Sequence, residues 1–270
     1  MALGPNSWGK RQVRVSKLIR GEERHDFIDL DVQILLRGAV EAAHTRGDNT
    51  GVLPTDTMKN TVYALAQDHL TADLEGFGEV LCHRFLGSDA VEQATVTIQQ
   101  NLWARETATG FAGGSSERRT ATVTRGAHFE TGAGVQGLVV LKTAGSAFEG
   151  YPKDELTTLP ETDDRILATS IGALWEYTTM PADTSATWGR VRQTLVDHFF
   201  SDPSASMQHQ GYQMGEAVLA AVPEVGSISL ALPNQHHLPF DLTRFGMEWD
   251  GTVFQPVSEP FGDITLTVTR

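Results

Sequence analysis

Residues 231–242 read ALPNQHHLPFDL, and the adjacent His236 and His237 are the first candidates for chemistry in the chain. Successive side chains on extended backbone point to opposite faces, so this pair does not chelate one ion together. No HExxH, CxxC or other paired metal spacing occurs, and no dinucleotide or P-loop fingerprint. One histidine can instead face a pocket and move protons, leaving the other at the surface. A second candidate is LPTDTMKNTVYALA, 53–66, which reads as a helix start. There Thr55 can cap free backbone donors, and Asp56 suits the positive end of the helix dipole. The same terminus presents N–H groups to an anionic ligand, and composition does not choose between the two readings. Arg165, in TTLPETDDRILATS at 157–170, is either a surface ion pair with Asp163 or Asp164 or a guanidinium fork for a planar anion. Gln208, in SASMQHQGYQMG at 204–215, opens a helix. Its amide is either solvated or reads the edge of a heterocycle.

Such residues need a scaffold. Period-two alternation at Ile28, Leu30, Val32, Ile34 and Leu36, at Val96, Ile98 and Leu102, and at Ile264, Leu266 and Val268 predicts half-buried antiparallel strands. Further strands are expected at 12–19, 120–125, 135–142, 166–175, 227–232 and 247–254. Helical spacing appears at Met58, Val62 and Leu65, and again at Leu74, Phe77, Leu81 and Phe85. It returns at Trp188, Val191, Leu195 and Phe199, then at Met207, Met214, Val218 and Val222. The order is two strands, two helices, two strands, written twice, with the hinge in GAHFETGAG, 126–134. This is an α+β chain of two tandem units, expected at 8–130 and 131–270. Each would carry two helices on one face of a four-stranded antiparallel sheet, leaving open faces and edges that favour oligomers. TGFAGGSSERR, 109–119, reads as a mobile hairpin loop.

The chain of 270 residues has 34 acidic and 21 basic side chains, a net charge of −13. That argues against nucleic acid, which needs a basic footprint. A small anion is still admissible, because screening acts within about 8 Å and one local arginine can dominate a pocket. No apolar run is long enough to cross a bilayer, and no signal peptide precedes the first strand. The single cysteine, Cys82, in an apolar stripe, excludes an internal disulfide and fits a reducing compartment. The expected location is the cytoplasm.

Taken together, the blocks GK..VRV at 9–15, TDTMKNTVY at 55–63, DELTTLPETDDRILAT at 154–169, SASMQ at 204–208 and LPNQHHLPFDL at 232–242 resemble the urate oxidase (uricase) family. The resemblance implies the duplicated tunnelling fold, in which two subunits close a barrel and two barrels stack into a homotetramer. It implies oxidation of urate by dioxygen and water to 5-hydroxyisourate and hydrogen peroxide, with no metal and no organic cofactor, at sites shared between subunits. Carried over by position, Arg165 and Gln208 would hold the pyrimidine ring, helped by the backbone N–H of Met207. Phe148 would stack on the purine and Leu159 would line the pocket. Thr55 and Asp56 of a neighbouring chain would meet the five-membered ring. Lys10, Thr55 and His236 would relay protons, and Asn234, with Thr55 opposite, would hold dioxygen or water above the ring. His237 acquires no role. Met207 stands where a smaller aliphatic is expected, but its role would be backbone. The ending TVTR lacks the peroxisomal Ser-Lys-Leu, which also favours the cytoplasm. Two alternatives keep the architecture: a pterin- or purine-handling enzyme of another reaction type, and a non-catalytic purine-binding protein.

Overall fold

The computed structural model describes residues 2–270, apart from the side chain of residue 258. It opens with strands β1 (Trp8–Arg20) and β2 (His25–Gly38), then helices α1 (Glu41–Arg46), α2 (Thr55–His69) and α3 (Leu74–Leu86). Strands β3 (Val91–Asn101), β4 (Ala104–Arg105), β5 (Phe111–Ala112), β6 (Arg118–Gly126), β7 (Glu130–Lys142) and β8 (Leu167–Tyr177) follow. After them come helices α4 (Thr184–Ser201) and α5 (Met207–Ala221), then β9 (Val225–Ala231), β10 (Asn234–Pro239), β11 (Phe254–Gly262) and β12 (Thr265–Thr269). The chain divides into two compact units, Met1–Val135 with Trp175–Gly189, and Gln136–Leu174 with Arg190–Arg270.

In the first unit the hydrogen-bonded order is β1-β2-β3-β6, antiparallel throughout. The alternation in β2 does what its period requires: Leu30, Val32, Ile34 and Leu36 are buried and the residues between them are not fully so. Helices α2 and α3 cover that face. Met58 and Val62 from α2, and Leu74, Phe77, Leu81 and Phe85 from α3, join the same core. Each such side chain contributes about 1.5–3 kcal/mol on burial. Asp73 caps α3 by accepting from the Gly76 N–H at 2.9 Å.

In the second unit β7 neighbours β8, β8 pairs with β9, and β9 pairs antiparallel with β12. Helix α5 lies on β9 and β12. Its Gly211 and Gly215 permit close approach: a Cβ on Gly215 would meet Val268 Cγ2 at 2.5 Å, and one on Gly211 would meet Leu232 Cδ1 at 2.8 Å. Strand β10 touches β8 through the Asn234–Thr169 pair and otherwise forms an antiparallel ribbon with β11.

The expected strand at 247–254 is not formed. Gly246 and Gly251 take positive φ angles of 69° and 86°, so the intervening residues turn and only Phe254 enters a strand. Strand β11 instead runs onward through Pro256 and Pro260, which an edge strand tolerates because its outer N–H groups need no partner. Leu102 and Ile264 fall just outside β3 and β12. Part of the 109–119 loop is paired, since Arg105 faces Phe111 and Ala104 faces Ala112. Most of 126–134 is strand, and its glycines serve close contacts: a Cβ on Gly132 would sit 2.5 Å from the Trp175 carbonyl oxygen. Among the described residues no helix is long and apolar enough to cross a membrane.

Candidate functional site

In the second unit a cleft of about 510 Å³ is bordered by Phe148, Leu159, Arg165, Asn234, His236 and His237. Five residues given a role by the resemblance, Phe148, Leu159, Arg165, Asn234 and His236, are therefore brought together. Asn234 opens β10 where that strand meets both β8 and β11. The register with β11 shifts between Asn234 and His236, an irregularity that re-aims side chains beside the cleft. His237 also borders the cleft and is half-buried, which corrects its placement at the surface. Its Nδ1 lies 3.3 Å from the carbonyl of Gln235.

Arg165 supplies the charge. Neither Asp163 nor Asp164 pairs with it, so the surface ion-pair reading does not hold. The reason is local: Asp164 Oδ1 accepts from the Gly145 N–H at 2.7 Å and the Ser146 N–H at 3.3 Å. Among the described residues Arg165 forms no ion pair, and its buried Nε has no hydrogen-bond partner. Burial pushes the guanidinium pKa below its ordinary value, with no acid opposing the shift. Its Cζ lies 5.1 Å from the centre of the Phe148 ring. A guanidinium held half-buried without a counter-charge awaits an anion, and an aromatic face beside it suits a planar one.

The loop from 148 to 162 presents Phe148 and Leu159. Its neck is closed by reciprocal backbone hydrogen bonds between Phe148 and Thr162, of 2.8 and 3.2 Å. Tyr151 stacks on Phe148 with ring centres 4.8 Å apart, and its hydroxyl donates to the Leu159 carbonyl at 2.5 Å. Sequence reasoning missed Tyr151, and missed Trp249 and Phe254, which also line the cleft. Phe254 opens β11 and Trp249 precedes it between the positive-φ glycines 246 and 251, where the strand expected at 247–254 gave no indication of a cleft wall.

Met207 and Gln208 do not line this cleft. They form the first turn of α5, where Ser206 caps the helix by accepting from the His209 N–H at 3.1 Å. The N–H groups of 207 and 208 have no acceptor within the helix. Met207 buries its side chain at 1 % exposure, so its larger size is absorbed by the core, while Gln208 is exposed.

Lys10, Thr55 and Asp56 belong to the first unit. Thr55 is not the cap: Pro54 occupies that position, no side chain caps α2, and Thr55 is its exposed first residue. The Asp56 carboxylate turns back along the helix to Lys59 and Asn60. Lys59, through its hydrogen bond and then its charge, holds that carboxyl below the usual range, and Lys10 adds a smaller pull in the same direction. With its carboxylate so engaged, Asp56 keeps a backbone N–H that takes no acceptor within the helix. Immediately after Lys10, one extra residue interrupts the register of β1 with β2, and Gln12 adopts φ of 56°. A bulge of this kind swings the preceding side chain out of the regular ladder.

The duplicated α+β arrangement of strands and helices is that of a tunnelling-fold protein, the class that the resemblance implied. The profile of the uricase family matches residues 6–133 and 131–265. A uricase of Arthrobacter globiformis is 41 % identical over 273 residues, spanning 100 % of this chain and 90 % of that protein. A uricase of Dictyostelium discoideum is 37 % identical, over 98 % of this chain and 96 % of that one. The crystal structure of the Arthrobacter globiformis uricase superposes with a TM-score of 0.96 at 42 % identity, covering 100 % of this chain and 95 % of that chain. The chain belongs to the uricase family.

Proposed function

We propose that the cleft in the second unit is the urate-binding half of a composite active site, completed by Lys10, Thr55 and Asp56 from the first unit of a second copy. As a uricase the chain is a urate oxidase, an oxidoreductase. The observation that carries the site assignment is Arg165, half-buried beside the Phe148 face without an acidic partner.

In this reading Arg165 and Gln208 grip the pyrimidine edge with the Met207 N–H, Phe148 fixes the ring plane, and Leu159 closes one wall. Stabilising the anion in a water-poor pocket is the largest contribution such a site makes. Urate is its own reductant: two electrons pass to dioxygen, which takes up two protons and leaves as hydrogen peroxide. Water adds to the oxidised ring and loses a proton, giving 5-hydroxyisourate. Lys10, the Thr55 hydroxyl and His236 carry the protons, the hydroxyl serving because it both donates and accepts. Asn234, facing Thr55 across the ring, holds dioxygen or water. Since the substrate supplies the electrons, no metal or organic cofactor enters the scheme.

The working assembly is a homotetramer built from units 8–130 and 131–270, with urate and dioxygen as its small-molecule partners. A net charge of −13 disfavours nucleic acid. A lone buried thiol suits the reducing cytoplasm. Chelator-treated protein mixed with urate in air tests the reading. Urate should disappear with stoichiometric peroxide, whereas activity that returns only with added metal, or urate left intact, refutes it.

A further inference from the structure

The turn between α4 and α5 is hydrogen-bonded to the segment that leads to Phe148 and continues into the first turn of α5. Lys142, the last residue of β7, does not border the cleft and is 7 % exposed. Its Nζ donates to the Asp202 carbonyl at 2.7 Å and to Gln210 Oε1 at 2.6 Å. Gln210, wholly buried, donates through Nε2 to the His198 carbonyl at 2.9 Å. Both carbonyls lie at the end of α4, where acceptors outnumber helical donors and the dipole favours a cation. Burial lowers the Lys142 pKa, while Asp202 and Asp164 pull it back up.

The turn then reaches outward through its backbone. Ser204 donates its N–H to the Gly145 carbonyl at 3.0 Å, and its own carbonyl accepts from the Ala147 N–H at 2.8 Å. That fixes the strand-like segment ending at Phe148. Gly145 and Ser146 in turn hold Asp164, the neighbour of Arg165. On its other side the turn leads directly into Met207 and Gln208.

We infer that Lys142 is a positioning residue for urate, setting Phe148, Arg165 and the first turn of α5 in common register through the 202–206 turn. It touches no reacting atom, and the inference rests on urate occupying the cleft as proposed above. Misplacing binding groups by fractions of an ångström weakens their contacts without removing them. Loss of Lys142 therefore acts on affinity before it acts on the chemical step.

The test begins with wild-type protein titrated with urate under argon and assayed in air. Failure there removes the site assignment itself, before any variant is read. Lys142→Met, Gln210→Met and the double variant are then compared with it. The expected result is an anaerobic Kd and a KM raised about tenfold, with kcat at saturating urate within about threefold. The double variant should be no worse than the worse single, because both break one chain of contacts. Gln210→Met alone carries the test if Lys142→Met does not fold. Three results overturn the inference: a folded variant with wild-type Kd, a lower Tm with KM unmoved, or a loss confined to kcat.

Discussion

Replacing Arg165 with methionine separates two jobs an arginine can do. In the free protein its guanidinium pairs with no carboxylate among the described residues, and its Nε is buried without a partner. What it does contribute locally is a cation–π contact with Phe148 at 5.1 Å, worth about 0.5–1 kcal/mol. Removing a partly desolvated charge offsets that loss, so Arg165→Met should leave Tm nearly unchanged or raise it slightly. Binding is another matter. Charge-assisted hydrogen bonds are worth about 1.5–3 kcal/mol each, and truncating one side of a buried pair typically costs 2–5 kcal/mol. Taking a loss of about 2–4 kcal/mol, urate affinity should fall roughly 30- to 1000-fold. The assay is an anaerobic urate titration run beside thermal unfolding with and without urate. Wild-type affinity in Arg165→Met, or a large fall in Tm without ligand, would refute the reasoning, since the first takes the residue out of the binding site and the second makes it structural.

Other expectations follow from the same geometry. Lys10→Met should lower turnover by about 10²-fold or more, with a smaller change in urate affinity; wild-type turnover across the pH range would remove Lys10 from the relay. Asp29 is buried against Arg14, which donates at 2.9 and 2.7 Å, and Trp103, which donates at 3.0 Å. Burial raises its pKa, but the Arg14 hydrogen bond and charge, with Trp103, carry it below the ordinary 3.8. A depressed carboxylate stabilises the fold fully above its unfolded pKa, and that stability is lost as pH falls through the folded value. Asp29→Asn should therefore cost about 1–3 kcal/mol near neutral pH, with the gap from wild type closing below 3.8 in denaturant titrations. The Cys82 thiol is pushed up to about 12 chiefly by burial, with the charge of Glu79 adding to it. A thiol reagent near neutral pH should leave native protein unlabelled and label it once denatured; rapid native labelling would show that α3 opens.

The sheets were legible because their burial is one-sided. Leu30, Val32, Ile34 and Leu36 announce a strand wherever one face meets a core, and the helical stripes at Leu74–Phe85 do the same at period 3.6. The β10–β11 ribbon lacks that asymmetry: His236 and His237 are both half-buried, and prolines break up β11. Patterning then pointed to 247–254, where glycine turns in fact rule. Backbone devices were equally silent. Nothing in the residue types at Arg11 and Gln12 marks the bulge after Lys10, because its cause is register against β2. The candidate site residues were reached mainly through matched motifs. Composition left Arg165 undecided between two roles, and the decision came from where Asp164 spends its carboxylate, a contact 19 residues away in sequence. The capping reading of Thr55 fails because α2 begins at Thr55 itself, one residue earlier than a cap there requires, and puts Pro54 at the cap position.

The bare beginning of α2 has a cost that an engineer would be tempted to recover. Exchanging Pro54 for serine or aspartate at that position would ordinarily steady a helix by about 0.5–2 kcal/mol. Here the added oxygen would occupy the amide protons that the Asp56 carboxylate, drawn aside by Lys59 and Asn60, leaves vacant. On the proposed site, where those amides meet the purine, heat tolerance gained in this place would be taken from urate binding, and thermal hardening belongs elsewhere in the molecule.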